Sequence, residues 1–150
     1  MDDQYPEWLI RGIPNCSFVQ NGLLTHEAFQ FDENESRKDG FSELSVNWMD
    51  DDNAMSFTLK QRNERKDKPA FPGGVAKLEL EKIKMILACH IEASHFAYER
   101  QRLSNNPYHG NLLLLKGLPK CLKIQVTNGL ALVAGTNIYL SEEEKTDLTD

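Results

Sequence analysis

The sequence predicts one α+β domain, a small mixed or antiparallel sheet with two to three helices, over residues 1–140, followed by an acidic tail at 141–150. Three observations point there. The chain has 150 residues, 40% apolar and 27% charged, the size and balance of one ordinary globular domain. Short runs of strand type recur along it. Helical periodicity interrupts them at irregular intervals, which suits α+β better than a regular βαβ array. A domain of this size buries roughly 68–70% of the surface of its unfolded chain, so neither disulfide nor metal is needed to hold it.

In chain order, "EWLIRGIP" (7–14) is an apolar run closed by proline and reads as a strand ending near Ile13. "LTHEAFQF" (24–31) is either a helical turn starting from Thr25 or an extended piece. "ENESRKDG" (33–40) is a polar turn ending in Asp-Gly. In "FSELSVNW" (41–48), Leu44, Val46 and Trp48 alternate with Glu43, Ser45 and Asn47, the pattern of a half-buried strand.

"DDDNAMSFTLKQRNERK" (50–66) reads as a helix. Its aspartates suit the free N–H groups of a helix start, and Ala54, Phe57 and Gln61 form a stripe widened by Met55 and Leu59. "DKPAFPGG" (67–74) breaks it. "VAKLEL" (75–80) resumes as a strand, and "EKIKMI" (81–86) is a short helix or turn. "LACHIEA" (87–93) then alternates Leu87, Cys89, Ile91 and Ala93 inward against His90 and Glu92 outward. "KIQVTNGLALV" admits a hairpin through Asn-Gly. Against that, Leu118, Leu122, Val126, Leu130 and Val133 keep helical spacing, with Pro119 at the start and Gly135 past the end. The expectation is a helix over 119–134 and a short strand over 137–140.

The formal net charge is −6, which argues against sequence-independent binding to nucleic acid. Charge is uneven: residues 60–68 carry five positive and two negative side chains, and residues 141–150 carry five negative and one positive. Cys16, Cys89 and Cys121 have no spacing of a zinc or redox motif. No apolar run approaches the ~20 residues of a membrane span, and "MDDQYPEW" lacks the features of a signal peptide. A cytoplasmic address is the expectation.

Strong catalytic signatures are missing from the sequence. "HIEASH" (90–95) holds half of a zinc deaminase signature without the cysteine pair, and H-E-x-x-H is absent. Neither a phosphate loop, a dinucleotide fingerprint nor a nucleophile elbow occurs. No metal site is expected, and no cofactor is named. "NNPYHGNLLLL" (105–115) is the most suggestive stretch. Pro107 pushes Asn106 from helical geometry, and His109 stands before an apolar run that must be buried. One ring nitrogen fixed by a backbone or Asn111 oxygen would leave the other for general acid–base work. Arg11 in an apolar strand, with Ser45 and Asn47 on one polar face, completes the candidate set. His109, Arg11 and Ser45 are the catalytic candidates; Asn47, Asn106 and Asn111 are the ligand-binding ones.

An arginine on one strand, a serine on another and an acid beyond them resemble the way ADP-ribosyltransferase-like folds hold NAD. The resemblance implies that Arg11 pairs with a phosphate, Ser45 orients a ribose, and Glu92 or Glu99 is the acid. Arg11-Gly12, Ser45-Val46-Asn47-Trp48, Gly74-Val75-Ala76 and Asn106-Pro107-Tyr108-His109 are similar to motifs of a family of small, functionally uncharacterised bacterial proteins. That likeness implies a bacterial source and a shared polar set, and no reaction. Two functional expectations follow. The first is an interaction subunit of a larger assembly with a protein partner, in a defence or toxin-related locus. The second is a small NAD- or RNA-phosphate-binding enzyme in which Arg11, Ser45, Asn47 and His109 converge.

Overall fold

In the computed structural model, residues 5–63 and 68–140 are described. The middle of the basic run and the acidic tail expected at 141–150 lie outside the described residues. The chain folds as a single α+β domain. Its main sheet has six strands, all antiparallel. They are β1 (Trp8–Gly12), β4 (Phe41–Trp48), β7 (Val75–Glu79), β8 (Phe96–Arg100), β9 (His109–Leu115) and β10 (Ile138–Tyr139), in the order β10-β7-β1-β4-β9-β8. Two ribbons of two strands flank it: β2 (Val19–Gln20) with β3 (Leu23–Leu24), and β5 (Arg62–Asn63) with β6 (Lys68–Pro69). Among the described residues the α-helices are α1 (Asn53–Leu59), α2 (Leu80–Ala88) and α3 (Lys120–Ala134).

Period-two alternation decides the faces of the sheet. Leu9 of β1 and Ile13 just after it, Leu44, Val46 and Trp48 of β4, and Leu112 and Leu114 of β9 join one buried cluster. Leu80, Ile83 and Leu87 of α2 and Val126 and Leu130 of α3 close over it, with Ala28 and Phe29 of a 3-10 turn (His26–Phe29). The opposite face is mostly polar. Ile10, Val75 and Ala54 form a small buried cluster there, under the short helix α1.

Several expectations need correction. The helix expected over 50–66 is confined to Asn53–Leu59, because Arg62–Asn63 leaves it to pair with Lys68–Pro69. The aspartates do act at its start: Asp51 accepts the Asn53 N–H at 2.9 Å. The strand expected over 87–93 does not form. Leu87 and Ala88 belong to α2, Cys89 is its cap, and Cys89 and Ala93 are exposed rather than inward. Leu80, Ile83 and Leu87 repeat at helical spacing and bury together, so α2 absorbs the alternation read locally. The helix expected over 119–134 is α3, with Pro119 at its N-cap and Gly135 at its C-cap in a positive-φ conformation (53°). Helical packing prevails over the Asn-Gly hairpin signal because Val126 and Leu130 bury completely against the sheet.

Two glycines have opposite roles. Gly110 lies where Trp48 crosses β9. The fully buried indole donates from Nε1 to the Glu99 carbonyl at 3.0 Å, and Tyr5 and Tyr98 pack around it at ring-centroid distances of 5.0 and 5.9 Å. A Cβ on Gly110 would stand 2.1 Å from Trp48 Nε1 and 2.4 Å from the Glu99 oxygen. Gly129, inside α3, has room: the nearest atom to an added Cβ is an Ile86 methyl at 3.6 Å, ordinary contact. Gly110→Ala is therefore expected to cost about 2–3 kcal/mol through overpacking, and Gly129→Ala to add about 0.5–1 kcal/mol by restricting the unfolded chain. Urea midpoints at constant m-value would show shifts of opposite sign; two shifts of the same sign would contradict this packing.

Candidate functional site

The site begins with a broken ladder. β1 pairs with β7 along its whole length, from Trp8↔Glu79 to Gly12↔Val75. With β4 it makes only two pairs, Leu9↔Trp48 and Ile10↔Asn47. Beyond Ile10 the two strands part, and the Arg11 side chain fills the gap. Its Nε donates to the Ala28 carbonyl at 3.0 Å and its Nη1 to the Ser45 carbonyl at 3.0 Å. Arg11 thus joins the 3-10 turn to β4 where strand pairing has stopped. Gly12 follows for a steric reason: the Phe71 ring lies against it, and a Cβ there would be 2.4 Å from ring carbons.

Asn47, next on β4, is 6% exposed and fully engaged. It donates to Thr58 Oγ1 at 2.8 Å and to Gln61 Oε1 at 3.4 Å, and its oxygen accepts from Asn106 Nδ2 at 2.9 Å. Thr58 donates in turn to the Ala54 carbonyl at 2.7 Å. Asn106 also accepts the Tyr108 N–H at 3.0 Å, an Asx turn that sets up the corner at Pro107. Strand β4, helix α1 and the 103–108 turn are thereby tied together through buried amides.

His109 is the first residue of β9, directly opposite Asn47. Its Nδ1 lies 3.1 Å from the Gln101 carbonyl. A carbonyl oxygen has no proton to give, so Nδ1 carries the hydrogen of the neutral ring and Nε2 keeps the lone pair. The fixing partner is a backbone oxygen; Asn111 has no part in it.

Arg11, Gly12, Ser45, Asn47, Asn106 and His109 line one open cleft of about 120 Å³, with Ile10, Val46, Thr58, Gln61 and Phe71. Five of the six candidate residues therefore meet there. The sixth, Asn111, is Cα partner of Ser45 but belongs to a neighbouring polar cluster and does not line the cleft. Asn111 donates to Glu99 Oε1 at 2.8 Å and to Gln101 Oε1 at 2.9 Å. Arg37 organises that cluster, binding Glu43 at 2.9 Å, Asp39 at 2.8 Å and Glu99. These carboxylates hold the Arg37 guanidinium well above its ordinary pKa. Neither glutamate suggested by the resemblance faces the cleft. Glu99 is committed to Arg37 and Asn111, and Glu92 is exposed beside His95 at the start of another 3-10 turn.

Among the described residues, no carboxylate lines the cleft. Arg11 is half-buried, and burial pulls its guanidinium down to about 10, with Asp32 opposing the change through space. At neutral pH it remains a cation, its Nε and Nη1 spent on carbonyls and its Nη2 donating to no described group. The Nε bond is partly buried and the Nη1 bond exposed, so the charged end opens toward solvent.

Gln61, Thr58 and Phe71 were not among the sequence candidates. Gln61 lay in the stripe of the overlong helix and Phe71 in a turn rich in glycine and proline; nothing local marks either as a neighbour of Arg11. Two of the larger hollows lie elsewhere on the domain. One of about 370 Å³ lies beside Lys120 and Lys123, and its buried Ser42 and Thr127 hydroxyls are already bonded to the Leu114 and Ile124 carbonyls. The other, of about 420 Å³, lies beside Cys16 and Ile138 and is mainly apolar. Among the described residues no three His, Cys, Asp or Glu groups could hold a metal, and no helix is long and apolar enough to cross a membrane. No protein-family model matches this sequence, and neither a curated protein nor a solved structure shows significant similarity to it.

The two polar residues of β4 differ in what they support. Asn47→Ala removes the donor to Thr58 Oγ1 and the acceptor of Asn106 Nδ2 in a buried place and is expected to cost about 2–4 kcal/mol. Ser45→Ala removes an exposed hydroxyl with no described bond and is expected to stay within about 0.5 kcal/mol. Thermal and urea unfolding of the two variants would test the contrast; equal losses would disprove it.

Proposed function

We propose that the chain is a recognition module for the oxyanion group of a small ligand, a phosphate or carboxylate seated on Arg11. One observation carries this reading: in a protein of formal net charge −6, the cleft at the broken β1–β4 ladder holds a half-buried cation and, among its described lining residues, no acid. Burial destabilises that charge, and an incoming anion restores what water no longer supplies. The guanidinium fork fits two oxygens of a phosphate or carboxylate. Gln61 Nε2 and the Ser45 hydroxyl add donors at the rim.

The size of the cleft supports binding of a group rather than of a whole dinucleotide. About 120 Å³ is below the ~300 Å³ at which pockets for complete small ligands begin. An NAD or RNA-phosphate ligand would place one phosphate here and most of its mass outside. Group transfer of the ADP-ribosyl type finds no support in the geometry, since the acid it requires is engaged elsewhere.

The second reading is the assembly subunit. It rests on Met85 and Leu132, exposed at 71% and 74%, which with Ile86, Cys89 and Val133 line an apolar hollow between α2 and α3. Isolated exposed apolar residues are ordinary, so the cleft is the stronger observation.

Titration calorimetry with inorganic phosphate and with acetate would test the first reading. Millimolar or tighter binding of either, weakened at least tenfold in Arg11→Gln with the fold retained by circular dichroism, is the expected result. Absence of binding to both anions would remove the proposal.

A further inference from the structure

The hydrogen-bonding valences left open in the cleft are not all donors, and the exception narrows the ligand. Arg11 Nη2, Gln61 Nε2 and the Ser45 hydroxyl can donate to an anion. The amides of Asn47 and Asn106 are occupied with one another, with Thr58 and with the Tyr108 N–H, so they offer a ligand little. His109 differs. The Gln101 carbonyl fixes the proton of the neutral ring on Nδ1, which makes Nε2 a lone-pair acceptor, and His109 lines the same cleft as Arg11. An acceptor repels a bare oxyanion and attracts a hydroxyl or N–H.

We infer that the ligand carries a hydrogen-bond donor, a hydroxyl or N–H, on the carbons next to its oxyanion, and that His109 Nε2 reads this donor while Arg11 holds the charge. Polyol phosphates and hydroxy acids have that arrangement; simple alkyl phosphates and fatty carboxylates do not. This deepens the oxyanion reading and rests on it. The assignment uses the cleft's dimensions as well: about 120 Å³ takes a phosphate and its first carbons, so the atoms near His109 are those adjacent to the anionic group. His109 acts here as a specificity residue, with no chemical step attached to it.

The test is a matched pair. Propyl phosphate and glycerol 3-phosphate share length and charge and differ by two hydroxyls; butyrate and 3,4-dihydroxybutyrate are the carboxylate counterparts. Calorimetry with the wild-type chain near pH 8 is expected to favour the hydroxylated member by about tenfold, the worth of one partly exposed hydrogen bond. His109→Phe, which keeps a ring and loses the acceptor, is expected to abolish the preference for the hydroxylated member of each pair. His109→Gln, which places an amide oxygen near the position of Nε2, is expected to restore part of it. Melting curves of both variants report whether the fold survives, and the Gln variant keeps the test open should the Phe variant fail to fold. Equal affinity for both members of each pair in the wild type would overturn the inference while leaving the oxyanion reading intact. Loss of propyl phosphate binding in Arg11→Gln alone, with no effect of His109→Phe on the preference, would also overturn it. No binding of any of the four probes would remove the oxyanion reading itself.

Discussion

Between β1 and β4 the sheet is held by two residue pairs and one arginine. That substitution of a side chain for a ladder is the constraint on which the cleft depends. Had the strands stayed paired past Ile10 and Asn47, the Ser45 carbonyl would face β1 backbone and no hollow would exist. Parting them exposes backbone groups, and a backbone acceptor without a donor costs about 1–3 kcal/mol. Arg11 supplies the missing donors and reaches a second element, the 3-10 turn at Ala28. Gly12 keeps β1 slim enough for Phe71 to form the opposite wall. The order Arg-Gly therefore has a mechanical meaning: one residue spans the gap and the next makes room beside it.

The polar residues around the gap divide into those that build and those that remain open. Asn47, Asn106 and Thr58 are 6%, 5% and 1% exposed and saturate one another. Such a buried network is rigid when complete and costly when partial, so these residues serve as scaffold, consistent with how polar groups at a tight corner are usually satisfied. Arg11 and His109 are tied by some atoms and open at others. Each is oriented by backbone carbonyls on one side, which leaves Nη2 and Nε2 aimed by the fold rather than by a neighbouring side chain. Preoriented groups lose little entropy on binding. The distinction between scaffold and open valence comes from counting donors and acceptors, residue by residue, and it separates Asn47 from His109 although they face each other across β4 and β9.

Much of this was legible in the sequence where period and burial coincide. The strand at 41–48 shows clean alternation because one face meets the helices and the other stays polar, and the structure gives β4 the same bounds. The helix at 119–134 outweighed an Asn-Gly signal because its apolar stripe is long. Failures came from short elements at ends. The helix at 50–66 was extended because charged residues after Leu59 are good helix formers, yet a two-residue ribbon takes them. Alternation across Leu87, Cys89 and Ile91 imitated a strand because the last turn of a helix and the cap after it also place apolar residues two apart. The site was half legible. An arginine inside an apolar strand and a histidine after Asn-Pro are local anomalies, and both line the cleft. Gln61 and Phe71 are ordinary in their own surroundings; only long-range packing brings them in. Asn111 looked equivalent to Asn106 but stands across from Glu99 on β8, where Arg37 claims its surroundings.

Charge adds a last constraint on what the cleft can hold. The chain as a whole is acidic, so its far field repels anions. Beyond a Debye length of about 8 Å at physiological salt that repulsion is largely screened, and what decides occupancy is the charge within the cleft. There the balance is one guanidinium against no described carboxylate. The basic run 60–68, five positive against two negative side chains, has Gln61 inside it and Phe71 just beyond it, both lining the cleft. The Arg37 cluster works the other way: Asp39, Glu43 and Glu99 surround its guanidinium, so that arginine is neutralised where it stands. Of these two half-buried arginines against the sheet, the fold spends Arg37 on its own carboxylates and leaves Arg11 with carbonyls. A carbonyl satisfies a hydrogen bond without cancelling a charge, so the Arg11 guanidinium keeps a charge that Asp32 meets through space rather than by contact.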